Sequence, residues 1–251
     1  MARRPDPVLL LHGQPGSARD WDAVVGLLPA GVRALAIDRP GWNGVAPAGD
    51  LAMNAQVALA ALDDAGIARA TIAGHSFGAA VAAWLAAHHP DRAGALVLAA
   101  PAANLASLSW LDRWLAAPVA GSLLSVGLMA STGLTLSAPP ARRLIGAQLR
   151  LEQRFLRESA RTLRRPASWG AFAAEQRGLV RQLPELERAL ERIAAPTTIV
   201  IGSEDRIVRP RAARMLAEQI PGAALVVLDG ADHLLPIQQP QRLAELIAAA
   251  R

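Results

Sequence analysis

The chain of 251 residues contains no cysteine, no tyrosine and no lysine; all 26 basic residues are arginine. Without cysteine there is no disulfide, no thiolate nucleophile and no Cys-based zinc or iron–sulfur site, and nothing about the redox compartment can be read. The exclusive use of arginine looks like a coding bias and carries no mechanism. Charge is scarce: 19% of residues are charged and 52% hydrophobic, with a mean hydropathy of +0.24, which excludes a disordered or fibrous chain. No secretory leader is expected. Met1-Ala-Arg-Arg-Pro-Asp-Pro is followed by only Val8 to Leu11 before a His-Gly turn, too short for a signal peptide's apolar region, so a cytoplasmic protein is expected.

The net charge of +5 is unevenly spread. Residues 139–194 hold 12 Arg against 6 acids, and the rest of the chain sums to −1. Such a segment can attract an anionic substrate or a membrane surface, but its arginines alternate with acids and apolar residues at helical spacing, the pattern of a solvated helix face. The longest uncharged stretch, Trp114 to Ala138, reaches membrane-spanning length yet is interrupted by Pro118, Gly121, Gly127 and Gly133. It reads as buried or pocket-lining, so neither stable membrane insertion nor nucleic-acid binding is expected, and the oligomeric state is open.

Short β-rich runs alternate with longer Ala/Leu-rich helical patterns, the signature of a mostly parallel, doubly wound α/β sheet covered by helices. Six strands are expected at Val8–Leu11, Val32–Ile37, Ala70–Ala73, Ala95–Ala99, Thr197–Ile201 and Ala224–Leu228. Helices fit at about residues 19–28, 51–66, 77–88, 210–219 and 239–250. The alternation fails between Pro101 and Pro196, where helical periodicity runs on without a strand. Residues 104–190 therefore read as a helical cap inserted into a core made of 1–103 and 191–251.

Gly74-His75-Ser76-Phe77-Gly78 follows the strand Thr71-Ile72-Ala73 and opens a helix, the context a nucleophile elbow requires. Serine at its free pKa is a poor nucleophile and needs a base. Of five histidines, His88 and His89 end a helix before Pro90, His75 lies inside the elbow and His12 opens a turn. His233, in Gly230-Ala-Asp-His-Leu, follows the last strand and reaches the same sheet edge as Ser76. Asp205, in Gly202-Ser-Glu-Asp, follows the penultimate strand and completes the chain order serine, acid, histidine. Glu204 is the alternative, and Asp232 is too close along the chain to reach the ring. For the oxyanion, the candidates are the backbone N–H groups of Phe77 and of Gln14 in His12-Gly-Gln-Pro-Gly-Ser17.

Together with Trp21, Asp38-Arg-Pro-Gly41 and His89-Pro-Asp-Arg-Ala-Gly-Ala-Leu-Val-Leu98, these segments resemble the α/β-hydrolase superfamily over the whole chain outside the insertion. The resemblance implies a helical cap roofing the active site and no cofactor or metal. Two departures stand out. Only seven residues precede Val8, so the antiparallel strands that usually begin the fold are expected to be missing. In Gly41-Trp-Asn-Gly44 the second glycine comes one residue late, with Asn43 expected to take up the left-handed conformation.

A serine nucleophile disfavours epoxide hydrolase and dehalogenase chemistry, which need a carboxylate there. Hydrolysis of a carboxylic ester of a hydrophobic small molecule leads. Lactone, thioester or carbon–carbon bond hydrolysis and perhydrolase activity follow, and a receptor-like binding protein is the alternative of another class. Trp42, Trp110, Trp114, Met129, Phe155, Trp169 and Leu234 are expected to line an apolar pocket, with Trp110 to Leu136 closing in part over Ser76.

Overall fold

The computed structural model describes residues 6–42 and 47–250. Asn43 and Gly44, and with them the late-glycine turn, lie outside the described residues. Six strands form one parallel sheet in the order β2-β1-β3-β4-β5-β6: β1 Val8–Leu11, β2 Ala34–Ile37, β3 Ala70–His75, β4 Ala93–Ala99, β5 Thr197–Gly202 and β6 Ala224–Leu228. No antiparallel strand pairs with it among the described residues. β1, β3, β4 and β5 read as nearly continuous apolar runs because parallel strands are covered on both faces.

The crossover helices are α1 Asp22–Leu27, α2 Leu51–Asp64, α3 Phe77–His88 and α9 Pro210–Gln219, with α10 Leu235–Gln238 and α11 Pro240–Ala249 after the last strand. Crossovers in such sheets are right-handed. The first therefore lays α1 on one face, where α11 joins it, and the reversal of direction after β2 sends α2 and α3 to the other. That reversal also makes the loops after β1 and β3 diverge, opening a crevice at the carboxyl edge of the sheet.

Between β4 and β5 run five further helices: α4 Trp110–Leu115, α5 Ala120–Ser137, α6 Pro139–Leu149, α7 Gln153–Leu163 and α8 Pro166–Ala189. They enclose a second apolar cluster that includes Trp42, Met129, Leu136, Leu156, Leu163 and Phe172, separate from the main core. α8 belongs to both. Ala171 and Phe172 pack in the second cluster, whereas Leu179, Leu183, Leu186 and Ala189 pack in the main core.

The expectation that Trp114–Ala138 is buried does not hold. α5 has no charged residue and a mean hydropathy of 1.3, enough in length and composition to cross a membrane, yet only 28% of it is buried. Its buried positions form a narrow stripe, Gly121, Ser125, Met129, Gly133 and Leu136, at the spacing of a single helix face.

Candidate functional site

β3 ends at His75, and Ser76 stands between it and α3 with φ 52° and ψ −116°, a left-handed conformation that costs a non-glycine residue on the order of 1–3 kcal/mol. The neighbourhood holds it there. Ser76 N–H donates to Ala99 O at 2.9 Å, and the Ser76 carbonyl accepts from Ala79 N–H and Ala102 N–H. The glycines have specific work: a Cβ on Gly78 would collide with the carbonyls of Leu11 and His12, and one on Gly74 with Gly78 O. Without these close approaches the loop after β1 could not lie against the elbow.

Three side chains from three strand ends meet. His233 Nε2 lies 3.1 Å from Ser76 Oγ, and His233 Nδ1 lies 2.8 Å from Asp205 Oδ2. With Nδ1 donating to the carboxylate, Nε2 is left as an acceptor for the serine proton. Asp205 is buried, and its other oxygen accepts from Ile207 N–H and Val208 N–H, both at 2.9 Å. Glu204 is exposed, and Asp232 Oδ1 accepts from the backbone N–H of His233 at 2.8 Å, so neither acts on the ring.

The loop after β1 lies beside the serine; a Cβ on Gly13 would approach Ser76 Cβ to 3.3 Å. Among the described residues, neither Gln14 N–H nor Phe77 N–H donates to a protein acceptor. The loop's carbonyls are held from behind by Arg39, whose Nε donates to His12 O at 2.9 Å and Nη2 to Gly13 O at 2.8 Å. Gly13 O and Gln14 N–H belong to one trans peptide and point in opposite directions. By fixing the first, Arg39 sets the direction of the second.

Arg39 is itself buried. It pairs with Glu175 of α8, lies over the Phe77 ring at 4.6 Å and donates to Asn54. Burial pushes the Glu175 carboxyl up, and the guanidinium opposes that by favouring the charged form. The sequence reading noted Asp38-Arg-Pro-Gly only as part of a resemblance. An arginine in the turn directly after the apolar strand Ala34–Ile37 was the available signal.

Two further histidines are buried beside the triad and held neutral. His12 lies well below its ordinary range, first through burial and then through Arg39. Arg39 N–H donates to its Nε2 at 3.0 Å, so the ring proton sits on Nδ1, facing Gly13 O. His75 is lowered to about 3 by burial and then by the neighbouring His233. Its Nε2–H donates to the His233 carbonyl at 2.9 Å, tying the elbow to the histidine loop.

The residues expected to line the pocket separate into two groups. Trp42, Met129, Phe155, Trp169 and Leu234 gather in or against the second apolar cluster. Trp169 is anchored by its indole N–H to Leu163 O at 2.7 Å, and Phe155 borders a groove of about 710 Å³ that also touches Glu204, Asp232 and Ile237. Trp110 and Trp114 do not line a pocket: they are 74% and 58% exposed. Nor is α5 the segment that reaches the serine side. α8 does so, through Gln14 Nε2 donating to Phe172 O at 2.9 Å and through the Arg39–Glu175 pair. Among the described residues no group of three His, Asp or Glu side chains is placed to hold a metal ion.

The sequence and the fold have counterparts among known proteins. A pimeloyl-acyl-carrier protein methyl ester esterase of Neisseria meningitidis serogroup B is 32% identical over 252 residues, covering 95% of this chain and 90% of that enzyme. A 2-hydroxy-6-oxononadienedioate/2-hydroxy-6-oxononatrienedioate hydrolase of Pseudomonas putida is 30% identical over 237 residues, covering 91% of this chain and 81% of that enzyme. Among solved structures, a hydrolase from Pseudomonas aeruginosa PA01 superposes with a TM-score of 0.76 at 25% identity, covering 100% of this chain and 91% of its own. The profile of the alpha/beta hydrolase family matches residues 8–246, and the chain belongs to that family.

Proposed function

We propose that the protein hydrolyses a carboxylic ester of a hydrophobic small molecule through an acyl-enzyme, with Ser76 as nucleophile, His233 as base and Asp205 as its orienting acid. The observation that carries this is the hydrogen-bonded chain from a buried, doubly anchored Asp205 through His233 to Ser76. Ser76 Oγ bonds to the ester carbonyl carbon as its proton passes to His233 Nε2. The carbonyl electron pair becomes an oxyanion facing Gln14 N–H and Phe77 N–H, each such donor being worth about 3 kcal/mol in the transition state. The tetrahedral intermediate collapses, and the alcohol departs with the proton from His233. Water, deprotonated by the same nitrogen, then cleaves the acyl-enzyme to the carboxylic acid and free Ser76. The methyl ester esterase relative favours a small alkoxy leaving group. The dienedioate hydrolase relative favours carbon–carbon bond hydrolysis on the same triad as the second reading.

A fluorophosphonate should label the parent protein and leave Ser76→Ala unlabelled, while Asp205→Asn should lower kcat by about 10⁴-fold at pH 7 and Glu204→Gln should change it little. Labelling of folded Ser76→Ala would remove the nucleophile assignment. A panel of methyl esters, lactones, thioesters and vinylogous diketones, ranked by kcat/KM, separates the two readings. Saturable binding without turnover of any of them would point to a receptor instead.

A further inference from the structure

α5 is built the wrong way round for a helix facing water. The stripe it buries is small, Gly121, Ser125, Met129 and Gly133 with Leu136, whereas Leu123, Leu124, Val126, Leu128 and Leu134 point outward. Leu123 and Leu134 are 70% and 62% exposed. Its polar side chains relieve this only in part. Ser122, Ser131, Thr135 and Ser137 each donate the hydroxyl back to a backbone carbonyl three or four residues earlier, at 2.7–3.1 Å, so these four donors are used within the helix. Trp110, Leu111 and Trp114 of α4 and Val119 of the connecting turn extend the exposed apolar surface, with Val119 at 74%. Exposed large apolar side chains gathered on successive segments mark interaction surfaces in soluble proteins.

The charges of this segment are mostly positive. Residues 104–165 contain nine arginines and only three acids, Asp112, Glu152 and Glu158. Asp112 is engaged by Ser109 and Gln176, and Glu158 faces Arg154 and Arg19. Arginines stand at both ends of the apolar helix: Arg177 reaches Ser122 at one end, and Arg142 and Arg164 bond to the last turn at the other. Exposed Arg113 and Arg143 continue the rim. A second copy of this face would set two positive rims against each other. An apolar face with flanking tryptophans and an arginine rim matches instead a bilayer surface, hydrocarbon beneath anionic headgroups.

We propose that α4 and α5 form a peripheral docking face for an anionic phospholipid bilayer, with the outward leucines entering the headgroup–acyl boundary and the arginine rim meeting lipid phosphates. The inner stripe of α5 stays packed on α7 and α8, so the helix lies in the interface and does not cross it. Docking brings the cap, and with it the reaction centre, to where hydrophobic esters concentrate.

The test is flotation of the full chain with vesicles of phosphatidylcholine alone and of equal parts phosphatidylcholine and phosphatidylglycerol. Binding is expected to the anionic vesicles, with a blue shift of tryptophan emission that Trp110→Phe with Trp114→Phe removes. Binding should fall roughly tenfold or more in Leu123→Glu with Leu134→Glu, and also in Arg113→Glu with Arg143→Glu. It should weaken in 1 M salt, where the Debye length is about 3 Å. All these positions lie outside the reaction centre, so unchanged turnover of a water-soluble ester certifies that each variant is folded. Absence of binding by folded, active parent protein at every anionic fraction overturns the proposal. A concentration-dependent dimer abolished by the leucine changes, without vesicle binding, assigns the face to a second copy. Capture of an acidic protein that depends on the arginines and is indifferent to the leucines assigns it to a soluble partner. Either result displaces the bilayer.

Discussion

α3 and α5 are both apolar helices without an acid or an arginine, and they end up in opposite surroundings. From Phe77 to Ala87 every residue of α3 is buried, pressed between α2, β3, β4 and α8, whereas most of α5 faces outward. Mean apolarity does not separate them. What differs is where small residues are buried: α3 carries buried alanine or glycine on every side, so backbones can approach all round, while α5 buries Gly121, Ser125 and Gly133 along one line and turns Ala120 and Gly127 outward with the leucines. Buried small side chains all round a helix announce a crowded interior, and a single buried stripe announces neighbours on one side only.

Both helices pack on α8, so the sharpest way to break the contrast is to loosen α8 from the layer that carries Ser76. Glu175→Ala leaves the Arg39 guanidinium buried without its partner and should cost about 3–5 kcal/mol in denaturant unfolding, with slower phosphonate labelling of the folded fraction as the Gln14 amide loses its aim. A loss below about 1 kcal/mol would mean that the pair does not join the two layers.

The contrast itself is tested by size. Ala80→Leu in α3 has no room and should destabilise by about 1–3 kcal/mol. Gly127→Ala in α5, where an added Cβ meets nothing within 4 Å, should stabilise by about 0.5–1 kcal/mol. Equal melting-temperature shifts of the same sign would refute the distinction.

A separate effect, read only as a slope against pH, is the response at the head of α3. His75 is held near 3 in the folded protein against 6.5 when exposed, so below pH 6.5 the unfolded chain binds a proton that the folded one refuses. Stability is fully present above pH 6.5 and falls as pH falls, by up to about 1.4 kcal/mol per pH unit, levelling off below pH 3. His75→Gln, whose amide can still donate to the His233 carbonyl, should make the profile shallower between pH 6 and 4, the remaining slope belonging to buried His12. An unchanged slope would remove His75 as its source.

Much of the sheet was legible because buried parallel strands leave short apolar runs bounded by turns, and all six stand within a few residues of where the pattern places them. Ser76, Asp205 and His233 stood out because each ends or follows such a run, and strand ends on one edge of a parallel sheet are neighbours in space. The cap resisted for the opposite reason. Its helices have no sheet to orient them, so Trp110 and Trp114 could be assigned a pocket by their apolarity alone, and the fold turns them outward. Arg39 was illegible as a positioning group because its partners, His12, Gly13, Asn54 and Glu175, lie 15 to 136 residues away along the chain.

A 24-residue rod that begins among the cap side chains and ends among those of the sheet layer has a practical meaning for recombination. Caps exchanged between related hydrolases at the obvious loop after the sheet would carry Leu179, Leu183 and Leu186 away with them and open a hole beneath α3. A chimera that keeps residues from Glu175 onward with the recipient preserves the arginine clamp and the lower packing together. Only the stretch from Trp110 to about Ala174 is free to be traded.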